Sequence, residues 1–106
     1  MRIRVLGDDT ISRQARTYAE FRVFAALTQF AGVEHVRYVR VVLRRANRSH
    51  DGEGVTCIVT VTLAGSNPVH VRTTGDHPYA AINRAAERLR NASTSERIDP
   101  GVVGSG

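Results

Sequence analysis

Two valine-rich segments whose apolar residues recur at every second position constrain the fold of this chain more than any other feature. They span Val36 to Arg45 and Val55 to Ala64. The alternating apolar residues are Val39, Val41 and Leu43 in the first segment and Cys57, Val59, Val61 and Leu63 in the second. Successive strand side chains point to opposite faces, so both segments predict half-buried strands. The polar connection between them, residues 46–54, contains glycine and predicts a hairpin with an exposed, mobile loop.

Shorter segments predict one strand before this hairpin and one after it. Arg2 to Leu6 alternates polar and apolar residues until a glycine and two aspartates interrupt the pattern. Val69 to Thr73 follows the tight turn Gly65 to Pro68, and a proline at the start of a strand removes no hydrogen bond from the ladder. The sequence therefore predicts four strands in all.

A segment with helical periodicity separates the first strand from the hairpin. Ser12 is a suitable N-cap, and the helix is predicted to run to about Phe30, where Ala31 and Gly32 would end it. Apolar residues at intervals of three and four predict its buried stripe: Ala15, Ala19, Val23, Ala26 and Phe30.

A second helix is predicted after the fourth strand. Asp76 or His77 would cap it, and Pro78 would occupy the first helical position, where a missing N–H costs nothing. The predicted inward stripe consists of Tyr79, Ile82, Ala86 and Leu89. The residues predicted to point away are Asn83, Arg84, Glu87, Arg88 and Asn91. Glu87 is expected to pair with the neighbouring arginines.

The predicted order of elements is β-α-β-β-β-α. Each helix has one apolar stripe and the strands share one apolar face, so we expect an α+β domain in which two helices pack on one face of a four-stranded, mainly antiparallel sheet. This domain is predicted to span residues 1–92. Residues 93–106 lose the apolar periodicity and are predicted to form a disordered C-terminal tail.

The charge of the chain favours a polyanionic partner. The formal net charge is +5, and all 15 basic residues are arginine. The planar guanidinium suits phosphate and nucleic acid, although a GC-rich genome would also replace lysine with arginine throughout. Such a genome would account for the choice of arginine over lysine and leave the positive excess unexplained, so nucleic acid remains the expected ligand class.

No residue pattern in the chain indicates catalysis. The four histidines lie scattered over strand starts and loops, without the spacing of a metal site, and no nucleophile, base and acid converge, so we expect no enzyme activity, metal or cofactor. The lone Cys57 excludes an intramolecular disulfide. Arginines interrupt the first apolar run, and no run reaches the roughly 18 residues of a membrane span, so we expect a cytoplasmic protein without membrane contact.

Arginines are the one class of residue with a coherent arrangement. Arg84 and Arg88 lie one turn apart on the outer face of the second helix. Arg16 and Arg22 lie at opposite edges of the apolar stripe of the first helix, where arginine serves either packing or binding. The hairpin adds a third group: Arg44, Arg45 and Arg48. Each group is a candidate RNA contact, and each also fits an ordinary solvated surface.

Three segments of the sequence together resemble a known family. They are Ile11-Ser12-Arg13-Gln14-Ala15-Arg16, the valine-rich hairpin containing Cys57, and above all Tyr79-Ala80-Ala81-Ile82-Asn83-Arg84-Ala85-Ala86-Glu87-Arg88-Leu89. The chain resembles the ribosome hibernation-promoting factor and ribosome-associated inhibitor family, also called sigma-54 modulation proteins, in a short form. The resemblance covers roughly residues 2 to 91, and the second-helix segment is its most specific part.

The resemblance implies a protein that binds the decoding region of the small ribosomal subunit under stress and silences translation there. It implies contacts between ribosomal RNA and basic residues of the two helices, which by position are Arg16, Arg22 and Arg88, with Arg84 as a neighbouring candidate. A folded domain that recognises RNA by shape uses phosphate and ribose contacts, which agrees with this expectation.

The first helix departs from the family pattern. Members of the family commonly carry basic residues on its outer face, where this chain has Phe21 and Phe24. Together with Tyr18 they predict an apolar patch that a monomer rarely leaves open. The alternative hypothesis is therefore a protein-interaction module of the same fold, which forms a homodimer or binds a protein partner through this patch.

Overall fold

The computed structural model describes residues 1–30, 33–46 and 54–98 and has the predicted order of elements. The elements are β1 (Arg2–Gly7), α1 (Arg13–Leu27), a short 3-10 helix (Val33–His35), β2 (Val36–Ala46), β3 (Gly54–Leu63), β4 (Val69–Gly75) and α2 (Pro78–Ile98). The structure therefore confirms the α+β class and the order β-α-β-β-β-α.

The four strands form one sheet in the order β1-β2-β3-β4. β1 pairs with β2 in parallel, because α1 carries the chain back to the starting end of the sheet, and the other two pairings are antiparallel. The register of the β2–β3 pair shifts between Val36 and Tyr38. Both helices contact the same face of the sheet and each other, so the mainly antiparallel two-layer architecture is confirmed.

A single core fills the space between the helices and the sheet. Its fully buried strand residues include Val39, Val41, Leu43, Val55, Cys57, Val59 and Val61. The stripe predicted for α1 is buried throughout, and α2 contributes Ala81, Ile82, Ala85, Ala86 and Leu89. Two predictions differ: Leu63 is only half-buried at the end of β3, and Tyr79 is 37% exposed because it lies at the start of α2, beside α1.

The first helix begins as predicted and ends earlier. The Ser12 hydroxyl accepts a hydrogen bond from the Ala15 N–H at 3.0 Å, which confirms the N-cap. The helix ends at Leu27, because the Thr28 hydroxyl bonds the Ala25 carbonyl and the next two amides donate to carbonyls only three residues back. The predicted end at about Phe30 is thus three residues too far, and residues 31–32 lie outside the described residues.

The second helix begins at Pro78 as predicted and continues past the predicted domain boundary. The His77 ring nitrogen Nδ1 accepts from the Ala80 N–H at 3.3 Å, so His77 is the capping side chain. The helix reaches Ile98, because neither glycine nor proline occurs between residue 92 and Pro100. The helix thus extends past residue 93, where the tail was predicted to begin, and residues 99–106 lie outside the described part. Neither of the two described α-helices is long and apolar enough to cross a bilayer.

The end of β4 lies unusually close to the start of α2. A Cβ atom added at Gly75 would lie 2.7 Å from the backbone nitrogen of Ala81 and 2.8 Å from the Cβ of Ala80. The buried Thr73 hydroxyl donates to the Ala81 carbonyl at 2.8 Å across the same contact. Only glycine permits this approach, which fixes the position of α2 on the sheet.

Replacing Gly75 by alanine is expected to destabilise the fold by about 1 to 3 kcal/mol, because the new methyl group meets backbone atoms that have no room to move. Chemical denaturation and the melting temperature measure the effect. Gly54→Ala is the matched control, since its Cβ would make only an ordinary contact at 3.6 Å with the Gly75 carbonyl. Equal stability of the two variants would contradict the close approach.

Cys57 is buried in the centre of the sheet, and desolvation raises the pKa of its thiol to about 12. At pH 9 the thiol should thus stay protonated in the folded chain, whereas an exposed cysteine would be largely thiolate. We expect negligible alkylation of the native protein at pH 9 and rapid alkylation in denaturant. Because the chain has one cysteine, mass spectrometry reads this site alone, and fast labelling of the native protein would contradict its burial.

Candidate nucleic-acid interface

A groove of about 540 Å³ runs between α2 and the edge strand β4. Its lining residues are Arg72, Thr73 and Thr74 from β4 and Arg84, Glu87, Arg88 and Asn91 from α2. We call it the α2–β4 groove. Three guanidinium groups and one carboxylate line it, so the groove carries a net positive charge.

The arginines of this groove form no salt bridge with their neighbour Glu87. Glu34 and His35 form the one salt bridge found among the described residues, so the expected pairing of Glu87 with Arg84 or Arg88 is wrong. Arg84 instead donates from Nη1 to the Thr74 carbonyl at 2.6 Å, which holds its guanidinium over the end of β4. Arginine has five N–H donors in a planar fork, so this bond leaves Arg84 able to bind an anion as well.

Asn83 joins the two helices on the other side of α2. Its side-chain oxygen accepts from the Tyr18 hydroxyl at 2.7 Å and from Arg22 Nε at 3.0 Å. Tyr18 also meets Tyr79 edge to face, with ring centroids 5.0 Å apart. Asn83 was predicted to point into solvent, and this outcome differs because α1 lies beside it. The contacts hold Arg22 at the rim of a small interhelical cleft.

Arg16 and Arg45 are bound to the turn between β1 and α1. Arg16 Nη2 donates to the carbonyls of Gly7 at 3.2 Å and Asp8 at 3.1 Å, and Arg45 Nη2 donates to the Thr10 carbonyl at 3.4 Å. Hydrogen bonds from Thr10 and the two nearby guanidinium groups lower the pKa of the Asp8 carboxyl. These contacts give Arg16 and Arg45 a role in holding the turn, and their RNA contact stays a prediction.

The three hairpin arginines do not form one cluster in the described chain. Arg44 pairs in register with Thr56 and Arg45 with Val55, so their side chains point to opposite faces of the sheet. Arg44 lies on the face without helices, and Arg45 lies on the face of the helices. Arg48 lies outside the described residues.

The predicted apolar patch is reduced to two side chains. Phe21 is 65% exposed and Phe24 is 49% exposed on the outer face of α1. Tyr18 is half-buried and turned towards α2, where its hydroxyl bonds Asn83, so it belongs to the interhelical contact instead. The outer face of α1 therefore presents two phenylalanines, whereas Arg22, between them in the sequence, is half-buried and bonds Asn83 on α2.

Arg72 is the groove residue that sequence reasoning missed. It occupies a polar position in the alternation of β4, which by itself indicates only an exposed strand residue. Its importance arises from the tertiary arrangement, because α2 packs beside β4 and brings Arg84 and Arg88 to the same groove. No pattern within either segment reveals that contact.

The arrangement is suited to binding phosphates. Guanidinium groups with hydroxyl and amide neighbours bind phosphate oxygens by charge-assisted hydrogen bonds. Within the described residues no three His, Cys, Asp or Glu side chains come together as a metal site. The fold and the groove define a small two-layer α+β domain with an arginine-lined surface for a polyanion.

The chain belongs to the family described as sigma 54 modulation protein / S30EA ribosomal protein, whose model matches residues 4–92. This membership confirms the resemblance drawn from the second-helix sequence. No curated protein sequence matches the chain.

Solved structures of other proteins share the fold, among them the following two. A ribosomal subunit interface protein from Coxiella burnetii superposes with a TM-score of 0.71 at 16% identity, and the match covers 93% of this chain and 100% of that one. The N-terminal domain of Thermus thermophilus Protein Y superposes with a TM-score of 0.67 at 25% identity, again covering 93% of this chain and 100% of that domain. At 16% identity the first likeness concerns the fold alone.

Replacing Asn83 by alanine is expected to cost about 1 to 3 kcal/mol, because the Tyr18 hydroxyl and Arg22 Nε both lose their acceptor. Thermal and urea unfolding measure the loss. Asn91→Ala is the matched control, since it makes the same substitution at an exposed position of the same helix and should shift stability by less than about 0.5 kcal/mol. Asn83→Asp keeps the accepting oxygen and should retain most of the stability. Similar effects of the two alanine variants would refute the interhelical network.

Proposed function

We propose that this protein binds the small ribosomal subunit through ribosomal RNA and silences translation by occupying the decoding region under stress. The observation that carries the proposal is the α2–β4 groove, where Arg72, Arg84 and Arg88 face an opening with one carboxylate beside them. A ribosomal partner would place the protein in the cytoplasm. The proposed role is binding, without catalysis.

Family membership and electrostatics support the proposal independently. The family is described as one of S30EA ribosomal proteins, which makes the ribosome the first partner to test. RNA phosphates supply the negative charge that the groove lacks, and arginine binds them in bidentate geometry. Duplex RNA is recognised mainly through its shape, phosphates and 2′-hydroxyls, which suits a rigid groove without exposed aromatic rings.

The wild-type chain is expected to cosediment with purified small ribosomal subunits at low salt and to dissociate as salt rises. Arg88→Glu is the sharpest variant, because Arg88 makes no hydrogen bond or ion pair within the described residues, so its loss leaves the fold intact. The slope of log affinity against log salt should fall by roughly 0.7 to 0.9, the amount of one phosphate contact.

The matched control for this experiment is Arg13→Glu. It makes the same change in net charge at an exposed residue in the first turn of α1, away from the groove. Its salt slope should equal that of the wild-type chain. Absence of the wild-type chain from the small-subunit fraction at low salt would contradict the proposal. If Arg88→Glu and Arg13→Glu lose the same affinity, the effect depends on net charge alone, and the groove is not the contact.

The second candidate function is a protein-interaction module that binds through the outer face of α1. The exposure of Phe21 and Phe24 favours it, because adjacent exposed aromatic rings commonly mark protein interfaces. Binding of this kind rests on apolar contact and therefore persists at high salt, where an RNA complex dissociates.

Light scattering separates this candidate from RNA binding. The interaction module predicts a dimer of the purified chain that survives high salt and dissociates in the variant Phe21→Ser/Phe24→Ser. A monomer at every salt concentration would exclude the homodimer. The double variant should keep its affinity for the small subunit if the α2–β4 groove is the contact.

A further inference from the structure

The face of the sheet that carries no helix is the second large surface of the molecule. Its exposed basic residues are Arg2 and Arg4 from β1, Arg40 and Arg44 from β2, and Arg72 from β4. The four strands contain no aspartate or glutamate. This helix-free face is therefore entirely basic in its charged residues.

The strand register places two of these arginines directly opposite each other. Arg4 pairs with Arg40 across the parallel β1–β2 ladder. The next residue of that row is Thr60, followed by His70, so no neighbour along the row supplies a negative charge. Like charges that face each other across two strands destabilise a sheet. In the free protein the guanidinium groups of Arg4 and Arg40 repel each other, and an anion bound between them would remove this repulsion.

The helix-free face is continuous with the α2–β4 groove through Arg72. This residue lines the groove, and on β4 it stands in register with Ile58 and, through Ile58, with Val42 and Leu6. That row of half-buried apolar residues lies between the Arg4–Arg40 row and the position of Arg44. Four strands at their usual spacing span about 14 Å, so Arg72 at the β4 edge stands within that distance of the arginines of β1 and β2, across the uncharged β3.

We propose that the helix-free face is a second RNA-binding surface, on which Arg4 and Arg40 hold one phosphate group between them. The inference rests on the proposed function, because it assigns a further contact to the same RNA partner. A second copy of this chain is a poor occupant, since face-to-face contact would bring two sets of arginines together. The exposed threonines Thr62 of β3 and Thr74 of β4 offer hydroxyls to phosphate and ribose, and the face lacks an array of exposed aromatic rings for base stacking.

Arg4→Glu tests this inference with opposite effects on stability and binding. In the free protein it converts the like-charged pair with Arg40 into an oppositely charged pair, so the melting temperature should rise. In the ribosome assay the same variant should bind more weakly and lower the slope of log affinity against log salt by at least the roughly 0.7 to 0.9 of one phosphate contact. If Arg4 served only the stability of the fold, a variant with a higher melting temperature would not bind the ribosomal subunit more weakly.

Arg13→Glu is again the matched control, because an acidic residue in the first turn of a helix also stabilises the fold. It should raise the melting temperature and leave ribosome affinity unchanged. Arg4→Lys keeps the charge and should keep most of the affinity. The purified small ribosomal subunit is the binding probe for all variants.

The possible outcomes distinguish failure of this inference from failure of the proposed function. No binding of the wild-type chain would overturn both. If Arg88→Glu weakens binding and Arg4→Glu does not, the second RNA-binding surface is wrong and the proposed function stands. Affinity lost in Arg4→Glu at an unchanged salt slope would mean that the face meets a partner other than RNA phosphate, such as an acidic protein segment, and would also overturn the inference.

Discussion

The contact between α2 and the β3–β4 side of the sheet determines where the charged side chains of this molecule lie. Alanines on the inner face of α2 and the absence of a side chain at Gly75 allow the helix to approach the strand closely. The hydroxyl of Thr73 bonds the Ala81 carbonyl and fixes the helix at this distance. Because of that approach, Arg84 reaches the Thr74 carbonyl and stands in one groove with Arg72. The candidate RNA site is thus a consequence of packing.

The distribution of acidic residues gives the domain two basic surfaces. Carboxylates occur in turns and on the helices, whereas the strands carry none. Two arginines with clear intramolecular partners, Arg16 and Arg45, hold the turn between β1 and α1. In the groove Arg84 makes one hydrogen bond, and Arg72 and Arg88 make none within the described residues. The same holds for the arginines of the helix-free face, which leaves their charge available for a polyanion. The domain is a thin slab with extents of 38 × 29 × 18 Å.

The sequence predicted those features that depend on local periodicity. The four strands, both helix starts and the stripe of α1 follow from patterns of two and of three to four residues, and the structure confirms them. Predictions that ignored tertiary neighbours did less well. Asn83 bonds α1 instead of facing solvent, and Arg84 bonds Thr74 on β4 instead of pairing with Glu87. Arg72 joins the groove only because β4 and α2 meet. Both helices also end at residues other than those predicted, because local hydrogen bonds end the first helix and no glycine or proline stops the second before Ile98.

The central claim is that the α2–β4 groove binds ribosomal RNA, and cryo-electron microscopy of the chain on a purified small ribosomal subunit tests it most directly. The reconstruction is expected to show RNA phosphates within hydrogen-bonding distance of Arg72, Arg84 and Arg88. A complex in which this groove is open to solvent, and the exposed Phe21 and Phe24 are buried against a ribosomal protein instead, would contradict the claim.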